Sequence, residues 1–145
     1  MNRRFKITIL SCTILCLGLV YLYFEFHRSA YSEIAKKEVE TYVSSQKLLS
    51  VFATNEDLAN TIYVEKLIQV EGTIKEITFF NNRYTILLKG KDDYSYVLCD
   101  MLPTEKDVSQ KLKPNDKVRL KGICKGYLMD VVLLNCVLVK KETNE

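Results

Sequence analysis

The 145-residue chain has room for one domain of ordinary size and an N-terminal segment, and its length excludes a second independent core. Its net charge is +3, from 21 Lys and Arg and 18 Asp and Glu, and Arg3, Arg4 and Lys6 account for the excess. The rest of the chain is balanced and lacks the single-sign field that drives most phosphate-backbone binding, so the composition disfavours nucleic acid.

The first predicted element is a membrane anchor. Residues 7–24 carry no charge and would span about 27 Å as a helix, close to the thickness of a hydrocarbon core. Basic residues precede this run, and aromatic residues end it, which favours a cytoplasmic N-terminus. We therefore predict a basic cytoplasmic terminus over residues 1–6 and a transmembrane signal-anchor over residues 7–26. This places the C-terminal domain on the periplasmic side of a bacterial inner membrane.

Two other interpretations of this segment stay open. A cleaved signal peptide would need a pair of small residues after the apolar run, where Glu25, His27 and Arg28 stand instead. A lipoprotein would use Cys12, which follows a partial lipobox, but the apolar run continues well beyond that cysteine.

Residues 27–64 are predicted to form a helical stalk and the helices that precede a barrel. Apolar residues lie at mixed helical spacings over residues 30–47, and Leu48 to Phe52 form an apolar cluster. Thr54 and Asp57 have the spacing of a helix cap, which predicts a further helical turn or two over residues 55–63.

From residue 66 the apolar period changes to two, which is typical of half-buried strands. Asn81 and Asn82 supply a turn after the first strand, and Thr104 and Asp107 have capping spacing in a predicted helix over residues 104–113. The five predicted strands cover residues 67–77, 83–89, 94–101, 117–128 and 130–140. This order predicts a mainly β protein, a five-stranded OB-fold barrel over residues 65–140 with a helix between strands three and four. Residues 141–145 form a polar tail.

Several segments resemble the bacterial tRNA_anti-like family of OB-fold proteins, many of them lipoproteins or membrane-anchored. The resemblance covers residues 47–139 and rests on NEDLAN, IQVEGTIKEI, YVLCDM, VRLKGICKG and DVVLLNC. It implies the fold, but the family has no established reaction or ligand, so it implies neither a cofactor nor an activity.

The cysteines of the domain are predicted to point inward. Strand parity groups Cys99, Cys124 and Cys136 with apolar neighbours. One disulfide is possible, joining Cys136 to either of the others, and the alternative is three buried free thiols. His27 is the only histidine, so we predict no metal site and no cysteine catalysis.

Aromatic and cationic residues on the second and third strands are the candidate ligand site, because this face binds ligands in OB-folds. The candidates are Phe79, Arg83, Tyr84, Lys89, Tyr94 and Tyr96. The alternative is ordinary cross-strand packing, and Arg119, Lys121 and Lys125 are expected to form a solvated basic face. We predict a membrane-anchored, non-enzymatic binding module of the cell envelope, with a protein or small ligand as partner and no cofactor. The alternative function is binding of single-stranded DNA or RNA.

Overall fold

The computed structural model describes the backbone of residues 3–142 and the side chains of residues 9–25 and 33–141. Two compact units are present, Met1–Glu33 and Ile34–Glu145. The last three residues of the predicted polar tail lie outside the described residues, and the final strand continues into its first two.

The described residues of the first unit belong to one helix, α1, which runs from Arg3 to Lys36. It includes the predicted anchor over residues 7–26, although the side chains of residues 7, 8 and 26 lie outside the described part. The anchor stays a prediction of the sequence. Among the helical residues with described placement, no stretch is both long and apolar enough to cross a membrane.

The second unit contains a closed barrel. Its helices are α2 (Ser45–Thr54), α3 (Glu56–Tyr63) and α4 (Lys106–Ser109), with a 3-10 turn over Pro103–Glu105. Its strands are β1 (Thr41–Ser44), β2 (Leu67–Phe80), β3 (Arg83–Lys89), β4 (Tyr96–Met101), β5 (Lys117–Tyr127) and β6 (Val131–Glu142). The sheet order is β1-β2-β3-β4-β6-β5, and β2 also pairs with β5, which closes five strands. The parallel pairing of β4 with β6 completes the predicted OB-fold order.

The barrel core follows from the two-residue period of the strands. Alternate side chains point inward and are fully buried, among them Val70, Ile74, Ile86, Leu88, Val97, Cys99, Leu120 and Leu133. Helix α2 adds Leu48 and Phe52 to the same cluster, and α3 adds Tyr63. The Phe52 ring stacks on Tyr127 of β5 with a centroid distance of 5.8 Å. The helices before the barrel are therefore part of its core.

The structure adds a strand within residues 27–64, which the sequence predicts to form a helical stalk and the helices that precede the barrel. Thr41–Ser44 is a strand that pairs in parallel with β2, from Thr41 opposite Ile68 to Ser44 opposite Glu71. A β-branched and aromatic tetrapeptide suits a strand, and the edge of β2 supplies its hydrogen-bond partners. The cap of α3 also differs, since Asn55 Oδ1 accepts from the backbone N–H of Leu58 at 3.0 Å.

The predicted helix over residues 104–113 is shorter in the structure. It is reduced to the 3-10 turn and α4, and neither has a side-chain cap. Glu105 is buried, and its Oε2 accepts from the backbone N–H of Leu138 at 2.8 Å. Because an unpaired backbone N–H inside a protein is costly, this contact holds the Glu105 side chain against β6.

Candidate functional site

The β2–β3 hairpin ends in a two-residue turn. Asn81 and Asn82 both have positive φ, 48° and 62°, the combination that a type I′ turn requires. Asparagine adopts this left-handed conformation more readily than most residues. The turn sets the strand register and places Phe79 opposite Tyr84 and Phe80 opposite Arg83.

The residues around this turn are here called the tip cluster: Phe79, Phe80, Arg83, Tyr84 and Lys106. Neighbouring strand residues point to opposite faces, so Phe79 and Tyr84 share one face of the hairpin, and Phe80 and Arg83 share the other. The rings of Phe79 and Tyr84 lie 4.6 Å apart, and Lys106 Nζ lies 5.4 Å from the Phe79 ring centroid. Phe79 is 49% exposed and Phe80 is 76% exposed. The cluster therefore offers exposed aromatic rings beside a cation, a surface suited to stacking against a planar or apolar ligand.

Sequence reasoning missed Lys106, which belongs to α4 rather than to the candidate strands. Its Nζ donates to Asn82 Oδ1 at 3.4 Å and so approaches the hairpin turn. The contact between Lys106 and Asn82 depends on the path of the β4–β5 connection, and the sequence around Lys106 does not predict it.

Arg83 contributes less positive charge to the tip cluster than its side chain suggests. Its Nη2 lies 2.7 Å from Asp100 Oδ2, and both side chains are partly exposed. This ion pair neutralises the guanidinium, which leaves Lys106 as the main source of positive charge in the cluster.

Lys89, Tyr94 and Tyr96 lie away from the tip cluster. Lys89 pairs with Tyr96 at the far end of β3, about 20 Å of strand from Arg83. Lys89 Nζ donates to Asn115 Oδ1 at 2.7 Å, and Tyr94 lies in the β3–β4 loop, 88% exposed. The structure thus brings Phe79, Arg83 and Tyr84 together and separates the other three predicted residues from them.

The three cysteines of the barrel are buried, as their parity predicts, and the structure shows no disulfide between them. Burial raises the pKa of Cys124, and burial together with the neighbouring Cys99 thiol raises the pKa of Cys136 well above its usual value. Because the thiolate is the nucleophile, these are poor nucleophiles. The disulfide stays a prediction, and the structure makes Cys99 the neighbour of Cys136. The described residues contain no group of three metal-binding side chains.

The basic residues of β5 have structural partners. Lys121 was expected to be solvated, but it is buried, and its Nζ donates to the backbone carbonyls of Ala35 and Lys37. Arg119 pairs with Glu71 at 2.9 Å and Lys125 with Glu65 at 2.8 Å. Carbonyl groups at the end of α1 attract a cation, which explains the burial of Lys121.

Comparisons with known proteins agree with this architecture. A family model described as tRNA_anti-like matches residues 1–138. A candidate nucleic acid-binding lipoprotein from Klebsiella pneumoniae has a TM-score of 0.56 at 19% identity, covering 70% of this chain and 92% of its own. The Stn1–Ten1 complex of S. pombe has a TM-score of 0.41 at 12% identity, covering 51% of this chain and 58% of its own. Asparaginyl-tRNA synthetase from Pyrococcus horikoshii has a TM-score of 0.42 at 12% identity, covering 55% of this chain and 20% of its own. No curated protein matches the sequence.

Proposed function

Since the chain belongs to the tRNA_anti-like family of OB-fold proteins, we propose that it is a non-catalytic binding module tethered to a bacterial membrane by α1. The tip cluster is its ligand site. The observation that carries the proposal is the pair of exposed rings at the end of the β2–β3 hairpin, Phe79 beside Lys106 and Phe80 on the opposite face.

The tether is supported by the surface of α1. Its large apolar side chains between Ile9 and Phe24 are 50–68% exposed and surround the helix. A helix that is apolar on all sides needs an apolar environment to cover it, and a lipid bilayer supplies one. Arg3, Arg4 and Lys6 favour retention of the N-terminus in the cytoplasm.

Reporter fusions after residue 145 test the tether and its orientation. We expect alkaline phosphatase, which is active only outside the cytoplasm, to be active, because the barrel would face the periplasm. The control replaces Arg3, Arg4 and Lys6 with glutamate, which should lower phosphatase activity because the orienting cations are gone. High activity of a cytoplasmic reporter at the same position would contradict the proposed placement.

Ligand binding at the tip cluster is supported by its exposure and by its position at the turn between the first and second barrel strands, because this loop binds ligands in OB-folds. Phe79 and Phe80 are adjacent exposed aromatic residues at a hairpin end, and grouped exposed apolar side chains mark contacts with other molecules. The Arg83–Asp100 ion pair leaves Lys106 as the main charge of the site, and this low net charge favours an envelope protein or a small uncharged ligand.

Co-purification tests this site. The full chain is isolated in detergent after mild crosslinking, and the molecules recovered with it are identified by mass spectrometry. We expect Phe80→Ala to lose most of the specific partner, because stacking on an exposed ring is removed without disturbing the core. Leu58→Ala is the matched control, since Leu58 is a 50% exposed apolar residue on helix α3 and lies outside the tip cluster. Equal recovery with both variants would exclude the tip cluster as the binding site.

Single-stranded nucleic acid is the second candidate ligand, favoured by the Phe79–Tyr84 ring pair under Lys106. Base stacking on an aromatic residue contributes about 1–3 kcal/mol, so Phe79→Ala should weaken binding roughly tenfold. Fluorescence anisotropy with labelled oligo(dT) and oligo(U) measures this, and the affinity should fall as salt rises. Absence of binding at low salt would eliminate nucleic acid as the ligand.

A further inference from the structure

A pocket lies on the outer surface of the barrel, away from the tip cluster. It has a volume of about 360 Å³ and is lined by Tyr42, Val43, Ser44, Gln69, Glu71 and Arg119. The ladder pairs Tyr42 with Gln69, Ser44 with Glu71, and Glu71 with Arg119, so three neighbouring strands supply the walls. This volume is within the range of pockets that hold small ligands.

The polar groups of the pocket include both donors and acceptors of hydrogen bonds. Arg119 Nε lies 2.9 Å from Glu71 Oε2, and the two side chains are 36% and 42% exposed. Adjacent hydroxyl groups of a ligand could donate to the carboxylate and accept from the guanidinium at the same time. The Gln69 amide adds one further donor and one further acceptor group. A phosphate or an ammonium group would instead meet a like charge at close range.

The apolar part of the pocket is the ring of Tyr42, which is 70% exposed beside these polar groups. An exposed aromatic face next to paired donors and acceptors suits the C–H face of a pyranose ring, whose hydroxyl groups lie at its rim. The geometry points to a second binding site for a neutral, hydroxyl-rich ligand, a saccharide unit stacked on Tyr42 and hydrogen-bonded to Glu71 and Arg119.

This site is independent of the proposed function at the tip cluster. Glu71 and Phe80 are separated by about 30 Å of strand along β2. Variants of one site should therefore leave binding at the other unchanged, and the failure of either proposal can be recognised without the other.

Calorimetric titration of the full chain tests the saccharide site. The protein is held in a sugar-free detergent and titrated with maltotriose, cellotriose and chitotriose, with glucose 6-phosphate and choline as charged comparators. We expect at least one neutral trisaccharide to bind. Tyr42→Ala should weaken that binding at least tenfold because the stacking surface is lost, whereas Tyr42→Phe keeps the ring and should retain most of it.

Leu128→Ala serves as the control, because this exposed side chain lies on the β5–β6 loop and does not line the pocket. Glu71→Gln should also weaken binding, since it removes a charged acceptor and the partner of Arg119. Thermal unfolding of each variant shows whether the barrel is intact. The proposal is overturned if none of the three sugars binds at a concentration of about 10 mM. A dissociation constant of that size corresponds to a binding free energy of about 3 kcal/mol. Binding of the charged comparators alone, or equal effects of Tyr42→Ala and Leu128→Ala, also overturns it.

Discussion

Replacing Phe52 with alanine lowers the free energy of unfolding by about 3–5 kcal/mol, the range for a large aromatic side chain removed from a core. Phe52 is 2% exposed, and its ring lies 6.1 Å from the Tyr63 ring and 5.8 Å from the Tyr127 ring. It joins α2 to α3 and to β5, so the cavity would open where three elements meet. A domain of this size has only about 5–15 kcal/mol of stability, so the loss is severe.

Urea unfolding followed by tyrosine fluorescence measures this effect. Leu58→Ala is the matched control, because Leu58 lies on the neighbouring helix α3 and is 50% exposed. Its replacement should change the free energy of unfolding by less than about 0.5 kcal/mol. Similar values for the two variants would mean that α2 does not belong to the barrel core.

Gly122→Ala is expected to cost about 1–3 kcal/mol, the usual range for overpacking a filled core. A Cβ at this position of β5 would lie 2.5 Å from Cys136 Sγ and 3.1 Å from the backbone oxygen of Leu134. Cys136 is fully buried, so its sulfur has little room to move. The glycine is thus required by the close approach of β5 and β6.

A double-mutant cycle isolates the cause of this loss. If the Sγ contact dominates, Cys136→Ala should restore part of the stability that Gly122→Ala removes, giving a coupling energy of about 1 kcal/mol or more. Gly18→Ala is the control, because a Cβ there meets nothing within 4 Å. Additive effects of Gly122→Ala and Cys136→Ala would contradict the packing that the structure shows.

The barrel was predictable from the chain because its strands carry a local signal. Alternating apolar residues such as Ile68, Val70 and Ile74 predict a strand with one buried face. Asn81 and Asn82 predict the turn that follows it. The candidate site was less predictable. Phe79, Arg83 and Tyr84 were found from their place on the strands, but Lys106 reaches them only through the fold.

The amino-acid pattern alone determined the OB-fold order, the inward direction of the barrel cysteines and the apolar run proposed as an anchor, because each depends on residues close in sequence. Tertiary structure decided the features that depend on distant partners. Strand β1 forms because it pairs with the edge of β2. Lys121 is buried because its Nζ donates to the carbonyls of Ala35 and Lys37. The Glu105 carboxylate is buried because it accepts from the backbone N–H of Leu138. The periodicity of apolar residues shows which face of an element is buried, because it depends on neighbours in the sequence. A hydrogen-bond partner many residues away is determined only by the folded structure.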